Sequence, residues 1–243
     1  KKRSKDFSLV LREVEHLANN GYKEIVLTGI DTGGYESNGK DLTDLIHEMS
    51  KVNGIERIRQ SSIEITQINE KFINELKNNN KICDHIHIPL QSGSDSILKL
   101  MNRKYDLKYF FDKIDMIRSV RPDISITTDV IVGFPGETEE MFLETMETCK
   151  KINFSKIHAF PYSERKGTKA SMMDGKVPES VKHERVKKLL ELSDSLEKSY
   201  YDKLFIFSRF RFLFCFYFCF SNVQRNTYRL HFENFSHFHT KVL

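Results

Sequence analysis

Residues 84–91 read Asp84-His85-Ile86-His87-Ile88-Pro89-Leu90-Gln91. Ile86, Ile88 and Leu90 alternate with His85, His87 and, one step past Pro89, Gln91, the period of two expected of a strand with one apolar and one polar face. In a doubly wound parallel sheet helices cover both faces, so such a strand should be apolar throughout. A polar row instead suits a wide or incomplete barrel that points polar groups into a ligand-filled lumen. The stretch therefore favours a partial barrel over an open sheet.

The flanking sequence supplies the rest of that architecture. Upstream, Phe7, Val10, Leu11, Val14, Leu17 and Ala18 recur at helical spacing over 6–20, with Gly21 where a C-terminal cap belongs. Glu24-Ile25-Val26-Leu27-Thr28 follows as a short apolar strand broken at Gly29. Further strands are expected at 56–61, 84–90, 124–132 and 154–160. Helices are expected at 41–52, 69–79, 94–120 with a break near Asn102, 139–151 and 178–203. Strands alternating with helices imply right-handed crossovers and a parallel sheet. The chain opens without Met, on the helix that would follow a sixth strand, so more sequence is expected upstream of Lys1.

The 243 residues hold 38 Lys and Arg against 34 Asp and Glu, and at 30% charged and 39% hydrophobic they are neither a disordered chain nor an integral membrane protein. The average hides two materials. Residues 1–204 carry 33 basic and 33 acidic side chains, so the net +4 lies in the last 39 residues, which also hold 11 of the 19 Phe. The neutral body argues against strong autonomous binding to nucleic acid phosphates. Cys83, Cys149, Cys215 and Cys219 form no short-loop framework and no secretory signal opens the chain, so the cytoplasm is expected. In the tail, Phe205, Phe207, Phe210, Phe212, Phe214, Phe216, Phe218 and Phe220 nearly alternate, which suggests a strand apolar on both faces. Its uninterrupted apolar run, 212–220, is too short for a membrane helix, which needs about 20 residues. Phe codons are T-rich, and translation out of frame or into an intron is the favoured account. Domain limits are therefore expected at 1–203 and 204–243.

Ligands of parallel α/β folds sit at the carboxyl ends of strands. Thr28-Gly29-Ile30-Asp31-Thr32-Gly33-Gly34 is a flexible loop whose Asp31 can accept from an amine, or a plain turn. Ser61-Ser62-Ile63-Glu64 offers two hydroxyls and an acid, or an N-cap. In Gln91-Ser92-Gly93-Ser94-Asp95, Ser94 or Asp95 suits a cap, leaving Gln91 and Ser92 for a ligand. Asp129 can accept from a hydroxyl, Ile131 and Val132 offer apolar surface to a flat ring, and Gly133 lets the chain pass close beneath it. Glu137, Glu139 and Glu140 suit the positive end of the next helix. Arg165 and Lys166 could meet a phosphate and Tyr162 could stack on a base, unless the loop is merely solvated. Cys83, His85 and His87 share a strand face, yet no fourth ligand supports zinc.

Leu27 to Tyr35, Arg59 to Glu64, His87 to Asp95, Thr128 to Thr138 and Phe160 to Thr168 together resemble the radical S-adenosylmethionine core of the tRNA methylthiotransferases. The branch acting on threonylcarbamoyladenosine beside the anticodon is the most similar, over residues 1–203. The resemblance implies an α/β fold, a partial (β/α)6 barrel here lacking its first strand, with an irregular carboxy-terminal tail. It implies an enzyme inserting a methylthio group at C2 of the modified adenosine, with tRNA as substrate and neither DNA nor membrane as partner. It implies S-adenosylmethionine and two [4Fe-4S] clusters as cofactors. By the same resemblance, Thr28, Gly29 and Asp31 lie near the methionine amine and Ser61, Ser62 and Glu64 near its carboxylate. Gln91, Ser92 and Asp129 lie near the ribose, with Ile131, Val132 and Gly133 beside the adenine. Tyr162, Arg165 and Lys166 are the tRNA candidates. The family's adenine motif G-x-I-x-G-x-x-E is matched by Ile131 and Gly133, with Asp129 in place of the first Gly and the acid one place late at Glu137. The family's C-x3-C-x2-C cluster motif is absent from the chain. No metal ligand or catalytic residue is identified, and the chain alone is expected to be inactive; a catalytically dead barrel that binds nucleotide or RNA is the alternative.

Overall fold

The computed structural model describes residues 3–212 and 227–231, with side chains through Phe205. The chain divides into two compact units, the first comprising residues 1–86 with the 227–231 segment and the second running from His87.

The first unit opens with helix α1 (Phe7–Asn19), whose N-cap Asp6 accepts from the backbone N–H of Ser8 and Leu9 and whose inner face buries Val10, Val14 and Leu17. Strand β1 (Glu24–Thr28) is buried over its first four residues. A short antiparallel pair, β2 (Glu36–Ser37) and β3 (Lys40–Asp41), leads to α2 (Leu42–Lys51), which begins at a reciprocal Asp41–Asp44 capping box. Strand β4 (Arg57–Gln60) pairs parallel with β1, placing Glu24 opposite Arg57 and Leu27 opposite Gln60. Helix α3 (Glu70–Asn78), capped by Asn69, buries Phe72, Ile73 and Leu76. The segment Thr227–His231 forms a further strand, parallel to the other edge of β1 with Glu24 opposite Thr227 and Thr28 opposite His231. It is numbered β8 in chain order.

The parallel sheet β5-β6-β7 comprises β5 (His85–His87), whose last residue begins the second unit, and β6 (Ser125–Val132) and β7 (Lys156–Pro161) within it. Helices α4 (Asp95–Leu100) and α5 (Leu107–Val120) connect β5 to β6, and α6 (Glu139–Ile152) connects β6 to β7. The final helix, α7 (Glu179–Phe212), lies along β7, where the Ser193 hydroxyl accepts from the Ile157 N–H and donates to the Ile157 carbonyl. No helix among the described residues is long and apolar enough to cross a membrane.

Four expectations change. The strand expected at 84–90 shortens to His85–His87 because Pro89 has no N–H to give the ladder. The Thr128 hydroxyl bridges the gap, donating to the Ile88 carbonyl and accepting from the Leu90 N–H, both at 2.8 Å. The helix expected to end at 203 runs to Phe212, since no Gly or Pro interrupts 179–212; residues 205–212 are helical despite their alternating Phe. The tail is not wholly irregular, and β1 carries a strand on the edge expected to be bare. A buried strand with an unpaired edge leaves backbone N–H and C=O groups unsatisfied, which β8 relieves. The Phe alternation beyond 212 lies outside the described residues.

Candidate functional site

In the first unit, the loops after β1 and β4 are bonded to each other. The Asp31 carboxylate accepts from the Gly34 N–H at 3.1 Å and from the Gln67 amide at 2.5 Å, while the Gln67 oxygen accepts from the Glu64 N–H at 3.1 Å. Buried Thr32 accepts from the Gln60 side-chain amide and donates to the Ser62 carbonyl, both at 2.6 Å. A Cβ on Gly33 would stand 2.1 Å from Gln67 Oε1, so the close approach of the two loops requires glycine there. Asp31, expected to meet an amine, already serves this turn. Thr28, Gly29, Asp31, Ser61 and Glu64 are half-buried and Ser62 is exposed. Gln60 Oε1 and Ser61 Oγ are buried with no hydrogen-bond partner, an acceptor and a hydroxyl at the carboxyl end of β4.

At the opposite end of these strands, Glu24 receives Arg57 Nε at 2.7 Å and Arg59 Nε at 2.9 Å. Burial alone would raise its carboxyl above the usual range; the two guanidiniums outweigh burial and hold it below.

In the second unit, β6 alternates strictly: Ser125, Thr127, Asp129 and Ile131 are half-buried on one face, while Ile126, Thr128, Val130 and Val132 are buried on the other. On the half-buried face, His87 Nε2 lies 3.2 Å from Asp129 Oδ2 and its Nδ1 lies 2.9 Å from the Thr127 hydroxyl. The β6–β7 register sets Asp129 opposite His158 and Ile131 opposite Phe160, and the His87 and His158 ring centres are 5.8 Å apart. Val132 points to the buried face and so presents no side chain to a ligand on the other.

Gln91 holds a left-handed backbone, φ 69°, its N–H donating to the Asp129 carbonyl and its carbonyl accepting from the Ile131 N–H. Ser92, expected near a ribose, is fully buried: its hydroxyl meets Thr145 Oγ1 of α6 at 3.4 Å and accepts from the Ser94 N–H at 3.2 Å. Ser94 occupies the N-cap of α4 without a side-chain bond to it, and Asp95 instead accepts from the Leu107 N–H at the start of α5.

The turn after β6 is clamped by α7. Gly133, at φ 72°, donates its N–H to Glu137 Oε2 at 2.6 Å, and the same oxygen receives Arg185 Nη1 at 2.6 Å. Arg185 also bonds Glu139 and lies 5.3 Å over the Phe142 ring. Glu137 thus faces the turn and a buried cation, while Glu139 and Glu140 occupy the first turn of α6 as expected. Burial pushes the Glu137 carboxyl up, and the Gly133 N–H and Arg185 offset that only in part. Lys182 donates to the Tyr162 carbonyl and to Glu179, with its ammonium 5.5 Å from the Tyr162 ring centre. Tyr162 also packs edge-on against Phe134; Arg165 and Lys166 are exposed.

Gln67, His158, Lys182 and Arg185 escaped the reading of the sequence. Gln67 stands three residues after Glu64, the spacing of a capping box. Lys182 and Arg185 fall at 3- and 4-residue spacing with Leu189 and Ser193, two cations on the buried stripe of a helix.

An iron-sulfur cluster of the expected type needs thiolates. Among the described residues no three His, Cys, Asp or Glu side chains converge as a metal site, and Cys83 and Cys149 are single free thiols. Burial pushes the Cys149 thiol up to about 12 and raises that of Cys83 as well. These residues do not fit a cluster. In the first unit the unpartnered Gln60 Oε1 and Ser61 Oγ suit the polar end of an amino acid. In the second, taken by itself, Asp129 beside Ile131 on one face of β6 suits the hydroxyls and flat ring of a nucleoside.

Residues 1–149 match the Radical SAM superfamily. The chain is 49% identical over 201 residues to the threonylcarbamoyladenosine tRNA methylthiotransferase MtaB of Bacillus subtilis, covering 82% of this chain and 45% of that protein. It is 44% identical over 199 residues to the MtaB of Thermotoga maritima (82% and 46%) and 45% identical over 198 residues to a tRNA-2-methylthio-N(6)-dimethylallyladenosine synthase of Thermoanaerobacter (78% and 41%). The chain thus spans less than half the length of these relatives. Among solved structures, coproporphyrinogen III oxidase (HemN) from Escherichia coli, a radical SAM enzyme, superposes with a TM-score of 0.56 at 15% identity, over 78% of this chain and 45% of that one. The radical S-adenosylmethionine methyltransferase TsrM from Kitasatospora setae gives 0.53 at 15% identity, over 65% and 31%. These likenesses show the partial-barrel α/β fold, and the chain belongs to the radical SAM superfamily.

Proposed function

We propose that this chain is the core of a tRNA methylthiotransferase acting on threonylcarbamoyladenosine in the cytoplasm. The observation that carries the reading is the 49% identity over 201 residues to a protein of that name. S-adenosylmethionine, when bound, supplies the methyl group and serves as the radical source. Residues of this chain would hold and orient it. Thr28, Gly29 and Asp31 would take its amine, with the Gln60 carbonyl as a further acceptor, and Ser61, Ser62 and Glu64 would take its carboxylate. Gln91 and Asp129 would take the ribose hydroxyls, and Ile131 and the Gly133 backbone the adenine. Ser92, fully buried against Thr145 of α6, would not touch the ligand. Tyr162, Arg165 and Lys166 would meet the tRNA.

No step is assigned to a cluster, because the residues present do not form its site. The chain by itself should be inactive: anaerobic incubation with iron and sulfide should leave no stable visible absorbance, and such an absorbance would overturn that statement. The substrate is tested by replacing the matching segment of the Bacillus subtilis relative with residues 1–204 and analysing tRNA nucleosides by mass spectrometry. Methylthio-threonylcarbamoyladenosine is expected. A well-folded chimera that makes none would sink the proposal in favour of an inert nucleotide- or RNA-binding barrel, and one that methylthiolates dimethylallyladenosine instead would overturn the choice of nucleoside.

A further inference from the structure

The half-buried face of the second sheet carries two rows at right angles to its strands. One is polar, His87, Asp129 and His158 on β5, β6 and β7; the other is apolar, Ile131 and Phe160 on β6 and β7. Two residues along a strand separate the rows by about 7 Å. A ligand with hydroxyls at one end and a flat apolar ring at the other matches that spacing.

Within the polar row the bonds have a direction. The Thr127 hydroxyl stands at His87 Nδ1 and the Asp129 carboxylate at His87 Nε2. A carboxylate only accepts, so Nε2 donates to Asp129, while Nδ1 is bonded to the Thr127 hydroxyl. The chain Thr127 to His87 to Asp129 therefore pins Oδ2 of a half-exposed carboxylate. His87 is less exposed than the aspartate it holds, 18% against 32% at the side chain. The less exposed partner is the one bonded to Thr127, and the more exposed partner is the one open to ligand.

We propose that His87 is a positioning residue: held by Thr127, it fixes the Asp129 carboxylate so that the remaining oxygen accepts from the vicinal hydroxyls of a nucleoside whose base lies over Ile131 and Phe160. The inference deepens the adenosyl reading given above and rests on it for the identity of the ligand. The bonding within the protein stands apart from that reading. Without its imidazole donor the carboxylate can rotate, and the oriented acceptor is lost while the apolar row stays intact.

The test has two arms on the full chain. The first is long-range nitrogen–proton NMR of the histidine rings at neutral pH without ligand. His87 should carry a hydrogen-bonded Nε2–H and should lose it in Asp129→Ala; a bare Nε2 or a freely exchanging mixture of tautomers in the wild type would overturn the proposal. The second compares binding of adenosine with 2′,3′-dideoxyadenosine by calorimetry or ligand-observed NMR. A charge-assisted hydrogen bond is worth about tenfold or more in affinity. The wild type should prefer adenosine by that factor, His87→Leu should lose the preference while still binding the dideoxy compound, and His87→Gln, which keeps a donor, should retain most of it. A His87→Leu protein with wild-type circular dichroism and an undiminished preference would refute the positioning role. If the wild type binds neither nucleoside while His87 keeps its bonded Nε2–H, the adenosyl reading falls and the internal positioning of Asp129 stands.

Discussion

Individual ionisable side chains in this barrel are set by their neighbours rather than by their type. Glu24, on an otherwise apolar strand, is tolerated because Arg57 and Arg59 reach it from the adjacent strand. Its folded carboxyl lies below the ordinary range, near 4.3 for glutamate, so the stability it contributes is present above about pH 4.3 and lost as pH falls through and below it. Glu24→Gln should cost about 1–3 kcal/mol at neutral pH and flatten the acid limb of the stability–pH curve, as urea titrations at several pH values would show. Cys149 behaves oppositely. With its thiol pushed up to about 12 and no solvent exposure, it should resist alkylation at pH 8 in the native protein and react only after unfolding; labelling followed by peptide mass spectrometry checks this. Rapid native labelling at Cys149 would contradict the packing around α6.

At the level of elements, the β6–α6 turn depends on a helix more than 45 residues further along the chain. Glu137 accepts from the turn's Gly133 N–H and from Arg185 of α7, and both partners of the ion pair are buried. Glu137→Ala would strand the guanidinium away from water and should cost about 3–5 kcal/mol. The paired change Glu137→Leu with Arg185→Met should recover much of that stability, since it removes the buried charge and leaves only the Gly133 N–H without its acceptor. Denaturant unfolding of the three proteins, followed by a probe in the second unit, separates the outcomes. Equal destabilisation by the single and the paired change would mean that the Gly133 contact, rather than the ion pair, carries the effect.

For the whole molecule, the two units predict different responses to loss of the tail. β8 pairs with β1 in the first unit, whereas the last described side-chain contact of α7 is Lys203 with Asp123 in the second. A chain ending at Leu204 should therefore exchange the amides of Ile25 to Leu27 faster while leaving Ile126 to Val132 unchanged, as hydrogen exchange read by mass spectrometry would reveal. Unchanged protection in β1 would mean that β8 adds nothing to the edge it occupies.

The alternation of helix and strand, the order of the strand-end loops and the family resemblance were legible along the chain, because period-2 and period-3.6 patterns and Gly-rich strand ends are local properties. So was the polar face of β5 and β6, since alternation decides which side chains share a face. The partners on that face were not. That His87 holds Asp129, that Ser92 turns inward to Thr145, that Asp31 is taken by Gln67 and that Arg185 holds the Glu137 carboxylate bonded to Gly133 all follow from register and from packing between elements. Those are set by packing between segments 36 to 53 residues apart and leave no mark in local periodicity. The sheet edge taken by β8 belongs to the same class: a strand's tendency to pair is local, but which strand fills its edge is decided only when the chain has folded back on itself.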